Sequence, residues 1–219
     1  MTKTKNTRQT LIEVGNWLWS MFTINVAWFL INFPVILTMI LVSSLRQATV
    51  LLPMALVLML MFSLFTLPSL AAVFQAVAEW QTNGDRAYFK DVLQGWRHYL
   101  TDFKLNCGLA TLLVSLSIGF KILTGNVLIQ SLLLVWIGLT LLVILAKTYR
   151  DGLADHSTSL ADFIRQNSLK LVLATIIFCV LVGINLFLKL AFMILIGSIS
   201  LAAIMMYKLL NGFQNKKME

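Results

Sequence analysis

A chain of 219 residues that is 59% hydrophobic and only 12% charged lies outside the range of ordinary soluble domains. Its net charge of +8 does not point to nucleic acid, because the basic residues flank apolar runs instead of gathering on one polar surface. The composition reads as an integral membrane protein whose basic loops face an anionic leaflet.

Taken in order, the chain opens with a polar leader carrying Lys3, Lys5 and Arg8. The apolar run that follows is too long for a signal-peptide core and has no small-residue cleavage site, so the first helix is expected to be retained. Trp17, Trp19 and Phe22 mark an interfacial belt, and the first span runs from about Leu18 to Ser43, with Pro34 set to kink it. The second covers about Leu51 to Ala78. It is longer than a bilayer needs, so it must tilt, bend at Pro68 or continue as a cytoplasmic helix.

Asn83-Gly84-Asp85 is a turn signal with Asp85 placed as an N-cap. From there to Lys104 the large apolar residues, among them Val92, Trp96 and Tyr99, recur at helical spacing, and charged residues take the opposite face. This pattern predicts an amphipathic helix in the membrane interface that runs without a breaker into the third span, about Phe103 to Leu123. Thr124-Gly125-Asn126 turns the chain into the fourth span, Val127 to Ala146, which ends in a charged knot of Lys147, Arg150 and Asp151. Ser159-Leu160-Ala161-Asp162 is a capping box that starts a shorter amphipathic helix before the fifth span, Leu171 to Leu188. Lys189 separates this from a sixth, Leu190 to Tyr207.

The expected architecture is therefore all-α: one polytopic membrane domain with six transmembrane helices and polar loops at 79–102 and 147–170. Lys and Arg favour cytoplasmic loops, and 14 of the 17 basic residues fall on one side, as do all 9 acidic ones. Both termini are expected in the cytoplasm, with the chain in a bacterial plasma membrane. A weak internal repeat pairs Phe89-Lys90-Asp91-Val92 and the third span with Leu160-Ala161-Asp162-Phe163 and the fifth.

No Asp or Glu lies within an apolar span, which removes the usual carriers of proton or cation coupling from the membrane interior. Lys121 and Lys189, at span ends, are read as snorkelling to the headgroups. Asn25 and Asn32 lie seven apart, on one face of the first helix. They either line a polar passage or bond to a neighbouring helix; the second is the commoner use, with Gln75 and Asn185 as candidate partners. Thr111, Ser115 and Gly119, and separately Ala72 and Ala76, form small-residue ridges suited to helix packing. Cys107 and Cys179 lack CxxC spacing and read as packing residues. His98 and His156 each have an aspartate nearby in sequence but no nucleophile or metal-ligand spacing, and there is no Walker, GxSxG or HExxH motif. No catalytic residue, cofactor site or metal site is expected, and the chain reads as a non-enzyme.

Three stretches resemble the YesL family of small bacterial membrane proteins: Gly15-Asn16-Trp17 through Asn32-Phe33-Pro34, Leu67 through Phe74, and Tyr88-Phe89-Lys90-Asp91-Val92-Leu93-Gln94-Gly95-Trp96. The likeness covers the first half of the chain, and Pro34 is not followed by the family's usual Thr and Gly. It implies association with carbohydrate ABC transport systems and supplies no catalytic or ligand-binding residues. The expected function is thus an accessory or regulatory membrane subunit of such a transporter, with permease or ATPase subunits as partners. Arg86, Lys90, Asp91, Arg97 and His98 are the expected contact face. The alternative is a small six-helix substrate-binding or facilitator protein in its own right.

Overall fold

The computed structural model describes residues 2–45, 48–84, 89–123, 125–153, 159–187 and 197–211. Among them all regular structure is helical: α1 (Thr2–Ser44), α2 (Ala48–Met61), a π-helical segment (Phe62–Thr66), α3 (Leu67–Asn83), α4 (Phe89–Tyr99), a 3-10 turn (Leu100–Asp102), α5 (Phe103–Ile122), α6 (Val127–Gly152), α7 (Leu160–Phe187) and α8 (Ile199–Asn211). Five stretches are long and apolar enough to cross a membrane: Thr10–Ser44, Val50–Asn83, Phe89–Ile122, Val127–Gly152 and Leu160–Leu181. Ile199–Leu210 is a shorter apolar helix, and the first part of the expected sixth span, at 190–196, lies outside the described residues. So do Arg46, Asp85, Arg86, His156 and Lys189.

The first three stretches run to 35, 34 and 34 residues. At ~1.5 Å per residue each is about 50 Å long, roughly 20 Å more than a ~30 Å hydrocarbon core requires. The excess lies at the end that carries the polar residues Glu79, Lys90, Asp91 and Arg97, and the opposite end holds the turn from α5 into α6. There Gly125 adopts φ 120°, and Asn126 caps α6 by accepting a hydrogen bond from the Ile129 amide through its side-chain oxygen.

Lys121 sits at this closed end, and it does not snorkel. Its Nζ donates to the backbone oxygens of Val42 and Leu45 at 2.8 Å and of Ser43 at 3.0 Å, so one ammonium satisfies the carbonyls that end α1. Lys121→Met is expected to lower stability in detergent micelles by about 1.5–3 kcal/mol, the range for hydrogen bonds to a charged group. A snorkelling lysine would leave the melting curve unchanged.

The core is concentrated at the opposite, loop-rich end, around α3. From Leu67 to Ala78 every α3 residue except Gln75 is buried, and the helix packs on α1, α4, α6 and α8. This explains its composition: Ala71, Ala72 and Ala76 let neighbouring backbones approach closely, while Val73, Phe74 and Val77 fill the gaps between them. Aromatic rings carry the contact outward, with Phe74 edge-on to Tyr149 at 5.4 Å, Tyr149 stacked on Phe163 at 6.2 Å and Trp17 against Trp80 at 6.3 Å. Away from this core the spans present Leu128, Leu132, Leu134, Trp136, Val172, Ile176 and similar side chains, the composition of a lipid-facing surface. Cys179, read above as a packing residue, is exposed among these, and Cys107 is half-buried.

The two rods beside α1 are both interrupted, for visible reasons. Pro68 has no amide hydrogen, so Leu64, four residues earlier, loses its helical donor where the chain loosens into the π-helical segment. The rod from Phe89 to Ile122 breaks at the 3-10 turn 100–102. Further on, Ser159 Oγ accepts from the Asp162 amide at 3.1 Å and donates to the Asp162 carboxylate, starting α7, which kinks at Asn167 (φ −114°, ψ 17°).

Candidate functional site

The asparagines of α1 serve the interruptions. Asn32 donates through Nδ2 to Ser69 Oγ at 2.8 Å and to the Trp28 carbonyl at 2.9 Å, while its Oδ1 accepts from Thr66 Oγ1 at 2.7 Å. It thus spans the break on either side of Leu67. Asn25 does the same for α8: its Oδ1 accepts from the amides of Ile199 at 3.0 Å and Ser200 at 3.2 Å, and its Nδ2 donates to Ser200 Oγ and the Met21 carbonyl. A side chain from a distant helix therefore caps the first donors of α8. Both asparagines are fully buried and bond to neighbouring helices. Gln75 is not their partner, and the side chain of Asn185 lies outside those described.

α4 is not spread on a surface. Its apolar face is laid along α3, where Val92 and Gly95 are buried, and a Cβ on Gly95 would come within 2.9 Å of Ala72 Cβ. Only glycine permits this approach. One position on, Trp96 stacks on Phe65 (centroids 5.8 Å apart, 16° between planes), and its Nε1 donates to the Leu64 carbonyl at 2.9 Å. That carbonyl is the acceptor Pro68 leaves without a helical partner, so α4 repairs the break in the α2–α3 rod. Trp96→Phe keeps the stacked ring and removes the donor; the expected loss is about 0.5–1.5 kcal/mol, the net worth of one hydrogen bond, measurable by thermal unfolding.

Below Trp96, the Tyr99 hydroxyl lies 3.1 Å from Gln75 Oε1 and 3.0 Å from the Asp151 carbonyl, and its single proton can serve either acceptor. Asp102, at the end of the turn, stands 3.6 Å from Lys147 Nζ, which also pairs with Asp151 one turn along α6 at 2.5 Å. Lys147 and Asp151 are each only 3% exposed, so the knot expected at the wet end of the fourth span is a buried ion pair. Three consecutive turns of the chain, at Trp96, Tyr99 and Asp102, thereby tie α4 to α3 and α6.

Between α3 and α4 opens a cleft of about 370 Å³, lined by Gln75, Glu79, Asp91, Gln94, Gly95 and His98. The positions follow from helix geometry: Gln75 and Glu79 are one turn apart on α3, joined by a 2.8 Å hydrogen bond from Nε2 to Oε1, and Asp91, Gln94 and His98 share one face of α4. The expected contact face therefore divides. Asp91 and His98 look into the cleft, whereas Lys90 and Arg97 are exposed outside its lining. Glu79, Gln94 and the Lys147–Asp151 pair were not singled out as site residues. The sequence signals for them are the i, i+4 spacings of Gln75 with Glu79 and Lys147 with Asp151, and a glycine in mid-helix at 95.

Among the described residues no group of His, Cys, Asp and Glu is arranged to hold a metal ion. The cleft offers carboxylates, amides and an imidazole, and its lining includes no serine, cysteine or lysine nucleophile. No protein-family model matches the chain, and neither a curated protein nor a solved structure does.

Proposed function

We propose that the chain is an accessory or regulatory membrane subunit of a carbohydrate ABC transporter in a bacterial plasma membrane, acting through α4 at the cytoplasmic face. The observation that carries this reading is the fastening of α4. A helix with Lys90 and Arg97 exposed on one side is held on the other through Gly95, Trp96 and Tyr99 to the central helix and its break. A partner that binds the exposed side and prefers one placement of α4 shifts the packing of α3 and α6 behind it by as much as its differential affinity allows. The cytoplasmic placement rests on the bias of Lys and Arg to one set of loops. The transporter and its carbohydrate cargo rest on the resemblance of the first half of the chain to the YesL family.

Affinity purification of the tagged chain from native membranes tests the proposal. Permease or ATPase subunits of a carbohydrate transporter should co-elute, and the paired change Lys90→Glu with Arg97→Glu should remove them. A chain that never recovers either subunit is not such an accessory. The cleft favours a second reading, a small membrane protein that binds a substrate in its own right, since its volume falls in the range of small-molecule sites. Saturable thermal stabilisation by one member of a panel of sugars and vitamins would select that reading.

A further inference from the structure

We propose that the joint between α4 and α5 is a two-state switch. In one state α4 is docked on α3 and the joint is the 3-10 turn at 100–102; in the other, residues 99–103 wind as continuous α-helix and α4 turns off α3. The inference concerns the chain alone and does not rest on the transporter reading. Its starting point is a bend with no local cause. Helices break at proline, at glycine or serine, or where another group enters the ladder, and Tyr99-Leu100-Thr101-Asp102-Phe103 contains none of these residues. Asp102, at the cap position of α5, makes no side-chain cap bond, and Thr101 Oγ1 donates back to the His98 carbonyl at 3.1 Å, a bond threonine also makes in unbroken helices. The bend is imposed from outside, by the hydrogen bonds of Trp96 and Tyr99 and by Asp102 beside Lys147. Disagreements between local preference and fold collect at functional sites, and 3-10 turns within a helical rod mark hinges.

The second state follows from helix geometry. Winding three residues at about 100° in place of about 120° turns α4 by about 60° relative to α5 and draws it about 1.5 Å along the axis. His98 stands three residues after Gly95, about 60° behind it around the helix, so it takes the place that Gly95 holds against α3. That place admits nothing larger than glycine, since a Cβ at 95 already falls 2.9 Å from Ala72 Cβ. α4 must then part from α3, and Trp96 leaves the Leu64 carbonyl. Asn106, one turn into α5, marks a cost that the docked state carries beside the joint. It is 1% exposed, and its side-chain oxygen has no hydrogen-bond partner among the described residues. Parting of the helices relieves that cost by admitting water. The bend at 100–102 and the π-helical segment thus face each other across one indole hydrogen bond. Whatever grips the exposed side of α4 acts by choosing between the two states.

The test is pulsed electron spin resonance on the full chain in micelles. Cys107 and Cys179 are replaced by serine, and spin labels are carried by Arg97→Cys on α4 and Leu169→Cys on α7, both exposed positions. A turn of about 60° moves a side-chain tip at the ~5–6 Å radius of a helix by about 5 Å, which gives a second distance. Trp96→Phe and Tyr99→Phe should each raise the ratio of the second distance to the first about fivefold, the scale of one hydrogen bond, and together by more. Thr101→Ala, an exposed change that favours helix at the joint, should raise it about twofold. Phe103→Pro, accepted at the first position of α5 and excluded from a continuous helix, should abolish the second distance even beside both other changes. A single distance left in place by the paired Trp96→Phe, Tyr99→Phe chain overturns the proposal, as does a second distance that persists with Phe103→Pro. If the paired chain fails to fold, each single change and Thr101→Ala decide in the same way.

Discussion

Lys147→Met should cost about 3–5 kcal/mol of stability, the range for stripping one partner from a buried ion pair. Lys147 and Asp151 are both 3% exposed, and removing the ammonium leaves the buried Asp151 carboxylate with Arg150 Nη2 at the longer distance of 3.6 Å. The double change Lys147→Met with Asp151→Leu should recover a large part of the loss, because a buried pair replaced by apolar side chains of similar size is often neutral. Asp102→Asn should matter much less, since Asp102 is 55% exposed and its 3.6 Å contact with Lys147 is of the surface kind, about 0–1 kcal/mol. Melting curves of the four proteins in one detergent check the ordering. Equal losses for Lys147→Met and Asp102→Asn would place the pair in water, against the burial described above.

The second large effect is steric. At Gly152, where α6 crosses α3, a Cβ would lie 2.6 Å from the Ala71 carbonyl oxygen, 2.8 Å from Phe74 Cβ and 2.9 Å from the Gln75 amide nitrogen. Two of these obstacles are backbone atoms of a buried helix, so α6 and α3 must separate. Gly152→Ala is expected to destabilise by about 1–3 kcal/mol, the cost of overpacking a filled core. Gly138 is the control: on the same helix a Cβ there meets nothing within 4 Å, and Gly138→Ala should be neutral or stabilising, given the better helix propensity of alanine. A Gly152→Ala protein that melts with the unmodified chain would remove the close α3–α6 contact from this account.

These expectations come from features that the sequence revealed unequally. The long apolar runs, the turns at Gly84 and Gly125 and the capping box at Ser159 were legible, because each depends on residues close together in the chain. Asn25 and Asn32 were legible as a pair on one face of α1. Their partners were not, since Thr66, Ser69 and Ser200 are ordinary hydroxyl residues that become acceptors and donors only where a neighbouring helix is broken. Gln75, as an amide, was the more obvious guess, and it is turned instead toward Glu79 and Tyr99.

The same limit explains α4. An amphipathic stripe records that one face is apolar and not whether lipid or another helix covers it, so a surface helix and a docked helix share one pattern. What distinguishes them here is the bond from Trp96 to the Leu64 carbonyl, groups 32 residues apart that meet only after α4 folds back along the α2–α3 rod. Charges at helix ends misled for a related reason. Lys147 and Asp151 close an apolar run and so read as wet, but the roughly 20 Å by which the first three long stretches exceed the bilayer buries that level in protein. Lys121 had the opposite fate: a cation at a span end usually reaches for headgroups, and here the carbonyls of Val42, Ser43 and Leu45, at and just past the end of α1, lie closer.

Docking of α4 against α3 is the claim on which the site, its cleft and its coupling to the core all depend, and cross-linking across the cleft tests it most directly. In a background with Cys107 and Cys179 replaced by serine, Gln75→Cys and Gln94→Cys place one thiol on each wall. A protease site inserted after Gly84 separates the two helices in sequence. A short bifunctional maleimide applied to membranes should hold the cut chain together as one band. The same treatment with Gln75→Cys and Arg97→Cys, whose second thiol lies outside the lining, should give two. Two bands from both pairs would mean that α4 does not lie along α3.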